Sequence, residues 1–184
     1  VKVLGCNGSG SWSGVIKGID WVTANAVRPA VANMSLGGGA NQAVDDAVRR
    51  SAASGVFYAL AAGNEGANAC NSSPARAGTT NGVVTTAATD SLEREASWSN
   101  FGSCVDIWSP GVSILSTRRG GGTTTMSGTS MASPHSAGGG ALYLSTHGAD
   151  SPAAVESALK QAATRTSTAS KDGRAIDRLY VGGF

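Results

Sequence analysis

The run Val56-Phe57-Tyr58-Ala59-Leu60-Ala61-Ala62 limits the fold more than any other stretch of the chain. It offers no polar position on which an exposed face could form. As a strand it must be covered on both sides, as strands are in parallel sheets. It stops at Gly63-Asn64-Glu65-Gly66, a turn composition. Around it, short apolar stretches alternate with segments of helical period. Val15, Ile16, Ile19 and Val22 place a helix over 13–25, and Val44, Ala47 and Val48 place another over 41–54, with Gly55 just past its end. Further strands are expected at 1–4, 31–36, 83–88, 104–108 and 114–117, and further helices at 130–145 and 152–164. This alternation predicts an α/β domain with a doubly wound, mostly parallel sheet and helices on both faces. Ligands bind such sheets at the carboxyl ends of strands, which makes Ser35-Leu36-Gly37 and Ala62-Gly63-Asn64 site candidates on topology alone.

With 184 residues and no linker or internal repeat, a single domain over 1–184 is expected. The net charge is +2, and Arg49-Arg50 and Arg118-Arg119 are isolated pairs, so nothing favours a nucleic-acid partner. No apolar run nears the ~20 residues of a membrane span, and no membrane partner is expected. The Gly-rich turns do not read as nucleotide loops. The stretch 8–14 lacks a Gly-Lys-Ser/Thr ending, and Gly37-Gly38-Gly39 lacks the dinucleotide spacing. Of three cysteines, Cys70 and Cys104 flank a loop-and-strand region and could pair, leaving Cys6 over; composition equally allows three buried thiols.

Two polar side chains stand where chemistry could occur. In Ser127-Gly128-Thr129-Ser130, a Gly-containing turn delivers Ser130 to the start of a helix. Unpaired N–H groups and the helix dipole favour negative charge there, as a serine nucleophile requires. A plain N-cap serine has the same local sequence. Asn64 ends the buried strand; it is either a turn asparagine or a donor to an oxyanion.

The longer segments decide between these readings. Gly128-Thr129-Ser130-Met131-Ala132-Ser133-Pro134-His135 resembles the active-site serine motif of the subtilisin-like serine proteases. Ala61-Ala62-Gly63-Asn64-Glu65-Gly66 resembles their oxyanion-asparagine motif, and Asn33-Met34-Ser35-Leu36-Gly37 the segment that pairs with substrate backbone. The likeness covers essentially the whole chain and is strongest to the proteinase K-like branch that includes aqualysin, through 1–10, 68–76 and 98–106.

The resemblance implies a secreted serine endopeptidase acting on polypeptides, with no cofactor for catalysis. Ser130 would be the nucleophile, and Asn64 with the Ser130 backbone N–H would hold the oxyanion. Gly8, Gly10, Trp12, Ser35, Leu36, Gly37, Ala61, Ala62 and Gly63 would bind substrate. Cys70 and Cys104 would be bonded, and Cys6 would pair with a cysteine upstream. A structural Ca²⁺ would sit at the carbonyls of Asn81 and Val83 and the carboxylate of Asp106.

The family's catalytic Asp and His motifs precede the serine and do not occur in this sequence. His135 lies about 7.5 Å along the helix from Ser130, and His147 about 25 Å, so neither is placed as a general base. The expectation is that the N-terminal part of the catalytic domain is missing and that Asp and His come from that upstream segment. The alternative is a peptide-binding pseudoprotease without catalysis. Departures from the family lie at Ser136, at Gly138-Gly139-Gly140 and at Ala87. The helix glycines are expected to loosen the packing behind Ser130.

Overall fold

Four segments have the apolar spacing and end signals of helices, and the computed structural model, which describes residues 1–148 and 150–184, forms each of them. Helix α1 (Trp12–Asn25) starts where the Ser11 hydroxyl accepts from the Gly14 N–H, and α2 (Gln42–Ala53) where the Asn41 side chain accepts from the Val44 N–H. Helix α4 (Pro152–Ala162) is capped by Ser151 with a proline in its first turn. Helix α3 (Thr129–Thr146) alone has no side-chain cap; Gly128 precedes it.

The strands are β1 (Ala30–Met34), β2 (Gly38–Gly39), β3 (Val56–Ala61), β4 (Ser72–Ser73), β5 (Val83–Thr89), β6 (Ile107–Pro110), β7 (Ile114–Thr117), β8 (Thr123–Met126), β9 (Thr164–Ala169) and β10 (Ala175–Arg178). Six build one sheet in the order β1-β3-β5-β6-β10-β9, and only β9 runs antiparallel to its neighbour. Every residue of β3 is buried. Its period of two explains how: Val56, Tyr58 and Leu60 pack with Val15, Ile19, Val44 and Val48 of α1 and α2, while Phe57 packs with Leu144, Val155 and Leu159 of α3 and α4. Two small antiparallel pairs, β2 with β4 and β7 with β8, complete the pattern.

Several sequence expectations change here. Residues 1–4 form no strand; Val3 packs against Gly18 of α1 instead. The strand expected from 104 starts at Ile107, because Cys104 and Val105 lie in a turn closed by Val105 N–H to the Gly102 carbonyl. The last helix stops at Ala162 and Thr164 opens β9. The glycines of α3 do not loosen its packing. A Cβ at Gly140 would meet Phe57 Cε1 at 2.6 Å, and one at Gly139 would meet Leu159 Cδ2 at 3.1 Å. These positions bring the helix backbone close to the sheet, and only Gly138 faces open space. Gly140→Ala should therefore destabilise by about 1–3 kcal/mol through overpacking. Gly138→Ala should stabilise by about 1 kcal/mol through helix propensity. Thermal unfolding of the two variants checks the opposite signs. Behind α3, Ser136 replaces apolar contact with a buried hydroxyl cluster, bonded to Thr86 Oγ1 at 2.8 Å and 3.3 Å from Ser109 Oγ.

Candidate active site

The carboxyl ends of β1 and β3 converge on the amino end of α3. A hollow of about 350 Å³ lies between them, lined among others by Leu36, Gly37, Ala61, Ala62, Gly63, Asn64 and Ser130. A second hollow of about 360 Å³ adjoins it through Leu36 and Gly37 and carries Gly8, Gly10, Trp12 and Ser35. Each position expected to bind substrate thus lines one of two neighbouring depressions.

Ser130 is the second residue of α3 and is half-buried. Its amide N–H has no acceptor among the described residues, as a helix start leaves it. Pro134, four residues on, has no N–H to give the Ser130 carbonyl. Ser35 supplies the missing donor: its hydroxyl gives a hydrogen bond to the Ser130 carbonyl at 2.7 Å. The Ser130 hydroxyl in return donates to the Ser35 carbonyl at 3.2 Å. Ser35 is itself held by Asn33 Nδ2 at 2.9 Å, and Asn33 Oδ1 accepts from Ser133 Oγ of α3 at 2.7 Å. The end of β1 is thereby clasped to the first turns of α3.

Asn64 is oriented by Thr129, a residue that motif reading passed over. Thr129 is fully buried. Its backbone N–H and its hydroxyl both donate to Asn64 Oδ1, at 2.8 and 3.0 Å, and the same hydroxyl accepts from the Gly63 N–H at 3.0 Å. With Oδ1 so engaged, Asn64 turns its Nδ2 donor toward Gly128 and the start of α3, 3.8 Å from the place of a Gly128 Cβ. An oxygen anion formed beside Ser130 would find two donors there, Asn64 Nδ2 and the Ser130 N–H.

Asn100 was also missed. It is fully buried and its amide is saturated. Oδ1 accepts from the N–H groups of Glu65 and Ala67, and Nδ2 donates to the Ala62 carbonyl and to Glu65 Oε2. Gly63 has φ +104, and a Cβ there would lie 2.3 Å from Asn100 Nδ2, so only glycine fits. The sequence signal for both residues was weak: polar side chains inside motifs whose neighbours carry the chemistry. Behind this turn Cys70 and Cys104 are bonded, while Cys6 is free and exposed.

Neither histidine joins the site. His135 Nδ1 is 2.8 Å from the Met131 carbonyl of its own helix, and His147 stacks on Tyr143 with centroids 4.2 Å apart. Among the described residues, the hydroxyl of Ser130 has no imidazole partner.

The residues expected to hold Ca²⁺ lie elsewhere, at the junction of β5, β6 and α4. Asp106 Oδ2 accepts from the Thr85 N–H at 2.9 Å, and Oδ1 takes the Lys160 ammonium at 3.0 Å. Burial pushes the Asp106 carboxyl up to about 6, against the Thr85 N–H and Lys160, which pull it down. No group of three or more acidic, histidine or cysteine side chains suited to a metal exists among the described residues. As arranged, the donor set does not suit a divalent ion, because the one carboxylate expected to bind it already carries an ammonium.

A parallel α/β sheet that sets a serine at a helix N-terminus beside an asparagine at a strand end is the frame of the subtilisin-like fold. A solved structure described as a cold adapted subtilisin-like serine proteinase superposes with a TM-score of 0.93 at 48% identity, covering 98% of this chain and 65% of that one. The chain belongs to the subtilase family, whose model matches residues 1–183. It is 51% identical over 180 residues to alkaline serine exoprotease A of Vibrio alginolyticus, covering 98% of this chain and 33% of that protein. It is 51% identical over 166 residues to the extracellular serine proteinase of Thermus sp. (strain Rt41A), covering 89% of this chain and 40% of that protein. The chain therefore spans well under half the length of these relatives.

Proposed function

We propose that this chain is the nucleophile-bearing, C-terminal portion of the catalytic domain of a secreted serine endopeptidase, and that an upstream segment outside this sequence supplies the Asp and His. The observation that carries the reading is the arrangement around Ser130: Ser130 and Asn64 line one hollow, the Ser130 N–H has no acceptor among the described residues, and Asn64 Oδ1 is held by Thr129, which leaves its Nδ2 as the free donor. A polypeptide would lie extended beside Ser35, Leu36 and Gly37, adding a strand to the backbone there. Ser130 Oγ would lose its proton to the histidine and attack the scissile carbonyl, whose oxygen becomes the anion held by Asn64 and the Ser130 N–H. The protonated histidine would then give its proton to the leaving amine, and water would release the acyl group from Ser130 by the reverse sequence. The disulfide and the extracellular relative from Thermus support a secreted setting.

The test uses the protein with its upstream segment and a serine-directed fluorophosphonate. Labelling should fall on Ser130 and vanish in Ser130→Ala. The 184-residue chain alone should turn over no peptide substrate, because among the described residues neither histidine reaches Ser130. Peptide binding without labelling of the completed protein would establish the pseudoprotease instead.

A further inference from the structure

We propose that the Lys160 ammonium is the resident cation of the Asp106 pocket and takes the place there of a divalent metal ion. Lys160 Nζ lies 3.0 Å from Asp106 Oδ1 and 3.1 Å from Glu156 Oε1. Each remaining oxygen of the two carboxylates is met by a backbone N–H: Thr85 N–H reaches Asp106 Oδ2 at 2.9 Å, and Gly82 N–H reaches Glu156 Oε2 at 2.7 Å. Both carboxylates are largely buried, with side chains 9% and 13% exposed, so an unbalanced pair of negative charges would be costly there. The ammonium removes most of that cost. It also joins three elements, since Gly82 and Thr85 flank the start of β5, Asp106 precedes β6, and Glu156 and Lys160 sit one turn apart on α4. A polar depression of about 470 Å³, lined by Asn81, Glu156 and Lys160 but not by Asp106, opens on the solvent side of the pair. A metal in contact with Asp106 Oδ1 would lie within a few ångströms of the ammonium, and the like charges would repel. Without the ammonium, the Asp106 and Glu156 carboxylates lose the cation they share, and Ca²⁺, which prefers oxygen ligands of this kind, is the ion whose chemistry matches them.

The experiment compares bound calcium and thermal unfolding in the whole protein that carries this chain, with chelator or with millimolar Ca²⁺. The set is the native protein, Asp106→Asn, Lys160→Met and the double variant. Asp106→Asn should leave the calcium stoichiometry of the native protein unchanged. Lys160→Met should lower Tm by about 4–8 °C in chelator. It should also bind one more calcium, regaining most of the lost Tm, and the double variant should lose both gains. The proposal is overturned if Asp106→Asn removes a bound calcium from the native protein. It is equally overturned if Lys160→Met keeps its Tm in chelator, or takes up no additional calcium. Should Lys160→Met fail to fold, the comparison of the native protein with Asp106→Asn decides alone.

Discussion

Asn64→Ala is expected to lower turnover by about 10²–10³, the range that loss of one oxyanion donor costs in serine hydrolases, with little change in peptide affinity. The asymmetry follows from where Asn64 Nδ2 points. Its Oδ1 is taken by Thr129, and on the function proposed above the free donor serves an oxygen standing beside Ser130, where charge would grow in the transition state. Steady-state kinetics on the protein completed with its upstream segment separates the two effects: kcat should fall and KM should hold. A rise in KM with unchanged kcat would assign Asn64 to ground-state binding and remove it from the oxyanion site. Thr129→Val supplies the companion measurement. It keeps the Thr129 N–H on Asn64 but leaves the Gly63 N–H without its acceptor, at a cost of about 1–3 kcal/mol in stability. Its kcat should lie between those of the native protein and Asn64→Ala.

Removal of the Cys70–Cys104 bond, by paired Ser substitution, should cost about 4 kcal/mol of unfolding free energy in the chain-entropy account, given a sequence separation of 34. The loss should also reach the site. Ala69 N–H bonds to the Phe101 carbonyl at 2.7 Å and Phe101 N–H to the Ala67 carbonyl at 3.0 Å, so the bond ties together the two loops that enclose the Asn64 turn. Denaturant unfolding of the paired variant checks the stability, and kcat checks the site. Equal unfolding midpoints would show that the backbone pairing alone holds these loops.

The central strands were legible because burial on both faces favours apolar and compact residues: β3 is an unbroken apolar run, and β5 sets Val83, Val84, Ala87 and Ala88 among three buried threonines. Strands β9 and β10 were not. Thr164–Ala169 is polar and mostly exposed, and its strand character comes from antiparallel pairing with β10 rather than from an apolar period. The start of β6 was misplaced for a related reason. Cys104 and Val105 are buried and apolar, yet they belong to a turn. Ser130, Asn64 and the Ser35–Gly37 segment could be named from the chain because their motifs are contiguous. Thr129 and Asn100 could not, since their roles rest on partners far away in sequence. The glycines of α3 illustrate the same limit: propensity reads Gly140 as a weakness, whereas the sheet beneath it accepts nothing larger.

The clasp between β1 and α3 also bears on when the serine becomes reactive. Ser35 meets Ser130 across 95 residues of chain, Asn33 meets Ser133 across 100, and Asn64 meets Thr129 across 65. Contacts of such separation require the intervening loops to close first, at an entropic cost that local contacts do not carry. A growing or partly folded chain therefore holds an ordinary serine. Ser130 acquires these surroundings only as the last third of the chain docks, and on the function proposed above that places a delay between synthesis and chemistry in a protein whose own unfolded segments would be substrates.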